Sequence, residues 1–158
     1  MDFTKLITEK LPRPQEYHDF ADKRKMLGIN NSLNILSNFA LLLPALYFIV
    51  KDKNITFLYL NIIFLAITSA YYHINPSHKT IFLDMIFVVS VNTIVFSYFV
   101  NKTIGITVYL LGLISVFYWK EYDDMRLYEF LKISIPIYFI YKISQNNKVS
   151  GYSLPLLL

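Results

Sequence analysis

Apolar residues gather into five runs separated by short polar breaks: residues 33–50, 55–72, 81–100, 104–119 and 127–141. The breaks carry the charges. Lys51-Asp52-Lys53-Asn54 closes the first run, His73-Ile74-Asn75-Pro76-Ser77-His78-Lys79 the second, Asn101-Lys102 the third and Lys120-Glu121-Tyr122-Asp123-Asp124 the fourth. Runs of about 17–25 residues match a hydrocarbon core about 30 Å thick. Inside it each segment must satisfy its own backbone hydrogen bonds, which a helix does. The pattern therefore predicts an all-α integral membrane protein, a multi-pass helical bundle of about five transmembrane helices. The fourth and fifth runs are short, and the fifth also contains Glu129, Lys132 and Pro136; such helices snorkel at their ends or thin the bilayer. Short connections make consecutive helices antiparallel neighbours. Several of Tyr47, Tyr59, Tyr71, Tyr72, Tyr98, Tyr109, Tyr118 and Trp119 fall near expected helix ends, as an interfacial belt requires.

Residues 1–32 form a polar arm, the bundle occupies 33–142, and 143–158 are a C-terminal tail. The arm carries Lys5, Lys10, Arg13, Lys23, Arg24 and Lys25 and no apolar core, unlike a signal peptide. A short amphipathic helix is expected near residues 17–26. In the tail, Tyr152-Ser153-Leu154-Pro155-Leu156-Leu157-Leu158 reads either as a hydrophobic strip on the membrane or as the first turn of a sixth helix. The arm, Lys79, Lys120 and Arg126 share one side, against Lys51, Lys53, Lys102, Lys142 and Lys148 on the other, and this balance favours a cytoplasmic N-terminus.

Composition narrows the partners. Of 158 residues 55% are hydrophobic and 16% charged, against about 25% charged in a soluble domain. The net charge of +4 sits at the edges of apolar runs, where headgroup anchoring explains it; a nucleic-acid binder would show a basic stripe on a soluble domain. The absence of cysteine excludes disulfides and thiolate metal sites.

Polar groups inside apolar helices are expensive, and so they inform. Ser69 and His73 are four apart near the end of the second helix, on one face. The third helix is expected to begin near Thr80, with Asp84 about one turn inside it. The hairpin brings Ser69, His73 and Asp84 to one level, and Ser37 and Asn38 of the first helix belong to the same end. A neutral imidazole is a good zinc ligand, and a nearby carboxylate orients it or acts as a general base. One histidine is not a metal site, however. Plain alternatives stand beside each residue: a back-bonded hydroxyl for Ser69, an interfacial ring for His73, a solvated loop residue for His78, and an arm residue without a ligand role for His18. Asn92, deep in the third helix, is expected to bond a neighbouring helix, and Asp123, Asp124 and Arg126 to form an interfacial charge cluster.

Several of these segments, in order, resemble the bacterial-type branch of the alkaline ceramidase family. They are Tyr17-His18-Asp19-Phe20-Ala21-Asp22-Lys23-Arg24, Leu27-Gly28-Ile29-Asn30-Asn31, Leu36-Ser37-Asn38, Ser69-Ala70-Tyr71-Tyr72-His73 with Asn75-Pro76, Leu83-Asp84-Met85, Tyr118-Trp119, Asp124-Met125-Arg126-Leu127-Tyr128 and Pro136. The resemblance runs from about residue 17 to 142. It implies the first five helices of a seven-helix membrane hydrolase, with His73 the first of three histidine ligands to zinc and Ser69 and Asp84 in the catalytic serine and aspartate places. The implied reaction is hydrolysis of a membrane lipid amide, ceramide to fatty acid and sphingoid base. The family's second and third histidines form a histidine-x-x-x-histidine pair, and no histidine follows His78 here. Met85 stands where the family has arginine, which leaves Asp84 without a local cation. Animal members also carry calcium in the arm; Asp19 and Asp22 lie in a similar region, but the spacing transfers no ligands. A non-catalytic membrane protein that binds lipid or a partner is the second expectation.

Overall fold

The structure, a computed structural model, describes residues 9–13, 18–20, 22, 24–26, 28–52 and 56–145. The tail's apolar run lies outside the described residues. Five long helices follow one another: α1 Ser32–Lys51, α2 Thr56–Ile74, α3 His78–Ser97, α4 Lys102–Tyr122 and α5 Arg126–Gln145. The first four are long and apolar enough to cross a membrane.

Helix ends fall where polar side chains cap them, beyond the limits of the apolar runs. Ser77 and Thr80 form a capping box, in which the Ser77 hydroxyl accepts from the Thr80 amide at 3.2 Å and the Thr80 hydroxyl accepts from the Ser77 amide at 3.1 Å. The box starts α3 at His78, so Asp84 lies deeper than one turn inside the helix. The Asn101 side chain accepts from the Ile104 amide at 2.9 Å and starts α4. Helices α4 and α5 reach 21 and 20 residues, or about 30 Å at 1.5 Å per residue. Both are longer than their apolar runs, and α5, with Glu129, Lys132 and Pro136, is not among the four apolar enough to cross a membrane.

Consecutive helices pack as antiparallel neighbours, and α5 leans on α4 and touches α3 only lightly. Helix α3 is central: 50% of its apolar window is buried, against 11% for α1. Glycine lets α3 and α4 approach closely. A Cβ on Gly112 would stand 2.5 Å from Val89 Cγ1, and one on Gly105 would stand 2.7 Å from Ser97 Cβ. Along this seam the buried hydroxyls of Thr93 and Ser115 bond backwards within their own helices, to Val89 and Gly112 carbonyls.

Of the described residues near 17–26, where a helix is expected, only His18 is in a helical turn, and Lys25 and Met26 are extended. Lys25–Met26 (β1) pairs with Ile29–Asn30 (β2) as a two-residue antiparallel hairpin. Gly28 (φ +81°) and Asn31 (φ 55°) take the left-handed conformations this path needs. The Asp22 carboxylate accepts from the Arg24 amide and from the Leu33 amide, the latter at 2.9 Å. Such local side-chain bonds compete with helix and here cap the start of α1. Further upstream, the arm completes the core. Leu11 and Phe20 pack against a cluster of Tyr72, Ile81, Phe82, Met85, Val89, Val116, Trp119, Met125 and Tyr128.

Candidate functional site

Alternation of direction gathers the start of α1, the end of α2, the start of α3, the α4–α5 junction and the arm at one end of the bundle. Ser69 and His73 lie in the last turns of α2, and Asp84 approaches Ser69 from α3. The Ser69 hydroxyl comes near the Asp84 carboxylate. The carboxylate's Oδ1 is buried without a protein hydrogen-bond partner, as is His73 Nδ1 one turn from Ser69. The His73 ring leans on Phe20 at 4.4 Å and Tyr72 at 5.5 Å, and its carbonyl accepts from the Asn31 side chain at 3.0 Å. The two loose polar atoms therefore belong to side chains held from behind. His18 Nε2 and Trp119 Nε1, at the same end, are also buried without a protein partner. Native proteins keep few such atoms, and those they keep gather where chemistry or ligands are handled.

The first helix does not join this group. Ser37 is exposed and donates to its own Asn34 carbonyl at 2.7 Å, and Asn38, though buried, donates to the same carbonyl at 2.9 Å. Asn38 faces Ala66 and Ala70 across an apolar groove, on a different face of α2 from Ser69 and His73. Asn92 also departs from expectation: it lies on an exposed face of α3 rather than against a neighbouring helix.

The arm contributes what the sequence reading missed. Arg13 is 4% exposed. Its Nη2 donates to Met85 Sδ at 2.8 Å, its Nε to Met125 Sδ at 3.4 Å, and its guanidinium carbon stands 4.6 Å from the Trp119 ring centroid. Its charge acts on both Asp84 and His18. The arm thus brings a guanidinium onto Met85, the residue that follows Asp84 in the chain. His18 is half-buried: Nδ1 pairs with the Tyr72 hydroxyl at 2.9 Å, and the ring meets His78 edge-on at 4.9 Å. Burial, then the neighbouring His78 and Arg13, holds the His18 imidazole below its ordinary pKa. His78 is the first residue of α3 and not a loop residue.

Asp124 is 1% exposed and structural. It takes a 2.6 Å ion pair from Arg126 Nη2, caps the Arg126 amide at 3.1 Å, and accepts from the Leu11 amide at 3.2 Å. Arg126 above all holds its carboxyl at about 2. What reads as an interfacial cluster is the anchor of the arm: the Leu11 carbonyl in turn accepts from the Met125 amide at 2.8 Å.

A catalytic zinc takes about three protein ligands. Among the described residues no three His, Cys, Asp or Glu side chains group closely enough to hold a metal ion. His73 Nδ1 is a free, buried imidazole nitrogen, so the described residues fit one ligand position and not a complete site. In the region suggested for calcium, the Asp22 carboxylate is already engaged by Arg24 and Leu33.

No protein-family model, curated protein or solved structure matches the chain.

Proposed function

We propose that this chain belongs to a membrane hydrolase of lipid amide bonds, of the alkaline ceramidase type, releasing a fatty acid and a sphingoid base. One observation carries the reading. A serine hydroxyl and an aspartate carboxylate come near each other from adjacent helices, and one helical turn from the serine lies a histidine with a buried, unpartnered ring nitrogen. Four helices long and apolar enough to span a bilayer support a lipid as its substrate. In this reading Asp84 takes a proton from the attacking water and returns it to the leaving amine. Ser69 turns its hydroxyl toward the amide carbonyl oxygen. His73 is the chain's contribution to a zinc site whose other ligands come from outside the described residues.

The test is purification from membranes together with whatever segment or chain accompanies the protein. About one zinc per complete site is expected, with amide hydrolysis lost about a hundredfold or more in His73→Ala, Asp84→Asn and Ser69→Ala. A preparation with no zinc and no hydrolysis of any ceramide tested would end this reading.

The lack of a three-ligand cluster among the described residues favours a second reading, a non-catalytic membrane protein that binds lipid or a partner. It expects His73→Ala to leave stability and lipid binding unchanged.

A further inference from the structure

We propose that the groove between α1 and α2 binds one hydrocarbon chain of a membrane lipid whose first polar group carries a hydroxyl or amide N–H, and that the Asn38 side chain accepts that hydrogen bond. The groove lies on a different face of α2 from Ser69 and His73. The proposal does not rest on the hydrolase reading.

Small side chains make the hollow. Ala66 and Ala70 stand one turn apart on α2, and Phe39 and Leu42 of α1 close the other side. The groove runs from Ala66 to Ile74 along α2, or about 12 Å at 1.5 Å per residue. Its volume is about 240 Å³. Clefts that take whole drug-sized molecules run to about 300–1,000 Å³, so this one has room for a single chain. Both walls belong to helices long and apolar enough to cross a membrane. In a bilayer the groove therefore opens on acyl chains.

Asn38 gives the groove a chemical preference. The lining is apolar apart from Asn38 and the Tyr71 hydroxyl. Asn38 is 7% exposed. Its Nδ2 donates to the Asn34 carbonyl at 2.9 Å, while its oxygen accepts nothing from the described residues. Nor is that oxygen sealed inside the protein. An amide oxygen without a donor is costly beside hydrocarbon. Asn38 lies six residues inside α1, about 9 Å from the helix start. A lipid with a donor just beneath its headgroup meets the oxygen at that depth. An ester-linked phosphatidylcholine presents only acceptors there.

The probe is a diazirine-bearing 1-O-alkylglycerol, which has hydroxyl donors and no amide to hydrolyse. Its di-O-methyl ether, without donors, is the comparison. Each is added in trace to phosphatidylcholine vesicles holding the purified full chain, and cross-linked residues are read by mass spectrometry. The alkylglycerol is expected to label Phe39, Leu42 and Ile67 about threefold or more above the ether. Asn38→Leu is expected to abolish that preference. Asn61→Leu is expected to keep it, because Asn61 bonds back to Phe57 in the same way but lies outside the groove. Ala70→Phe fills the hollow and is expected to lower labelling of Leu42 by both probes. Where Ala70→Phe does not fold, Ala70→Leu takes its place and is read by the same rule. Equal labelling by the two probes, or a preference that survives Asn38→Leu, means ordinary contact with the bilayer and overturns the proposal. Asp84→Asn is expected to leave the preference intact while removing any amide hydrolysis, so the two sites fail separately. A preference lost in Asp84→Asn would place the probe at the other face of α2 and also overturn it.

Discussion

His18 Nδ1 lies 2.9 Å from the Tyr72 hydroxyl, which joins the arm to the last turn of α2 across 54 positions of sequence. The ring is held neutral by burial, with His78 of α3 and Arg13 of the arm adding to the effect. A histidine whose folded pKa lies below its ordinary 6.5 contributes full stability above that value. As pH falls through about 6.5 the undocked form gains a proton that the docked form resists, and arm docking weakens. The thermal midpoint should therefore fall as pH drops from about 7.5 to about 5.5. His18→Gln should flatten that slope. Emission from Trp119, the sole tryptophan and the one beneath Arg13, reports undocking directly.

Asp124 makes the opposite kind of prediction. Its folded pKa of about 2 lies below the ordinary 3.8, so its contribution is whole above about 4 and disappears as pH falls toward about 2. Asp124→Asn should lower the unfolding midpoint at neutral pH and loosen the Leu11 strap, seen as faster amide exchange at Met125. The gap between variant and wild type should stay constant down to about pH 4 and close below it.

Close approach of α3 to α4 is testable by volume. Gly112→Val pushes a branched side chain into Val89 and Thr93 and should destabilise by about 1–3 kcal/mol. Gly28 is the control: a Cβ there meets nothing within 4 Å, but φ is +81°. Gly28→Ala should therefore be destabilising by about 1 kcal/mol from backbone strain alone. Equal effects in a loosened, detergent-expanded bundle and in lipid would sink the packing account of Gly112.

The box at Ser77 sets where α3 begins, and so the depth of Asp84. Ser77→Ala should cost about 1 kcal/mol. In an active preparation it should also lower hydrolysis more than its stability loss explains. A variant with wild-type turnover at matched folded fraction would show that the cap does not position the acid.

The helices were readable because the constraint behind them is blunt: apolar runs with polar breaks admit few other structures. The ends were misread because Ser77, Asn101 and Asp124 are polar, and a polar residue looks like loop until its cap bond is seen. The meeting of Ser69 with Asp84 followed from helical spacing across one short hairpin. Ser37 and Asn38 show the limit of the same reasoning: being at the right end of the bundle does not decide which face a side chain takes, and both bond back to Asn34. Arg13, His18 and the role of Asp124 were out of reach. Their partners lie 72, 54 and 113 positions away, and an irregular arm has no period from which to infer contacts. The one available clue was negative, an acid at 84 followed by methionine.

The latch between Leu11 and the α4–α5 junction has a consequence for biogenesis. Residue 11 leaves the ribosome early, yet the amide and carboxylate that receive it belong to residues 124 and 125. The segment holding Leu11 must wait, undocked, until four helices have been made and the fifth is about to begin. Nascent chains released before that point should present an arm open to protease, and longer ones should protect it. Closure of this end of the bundle is thus a late event in assembly, gated by the length of chain already synthesised.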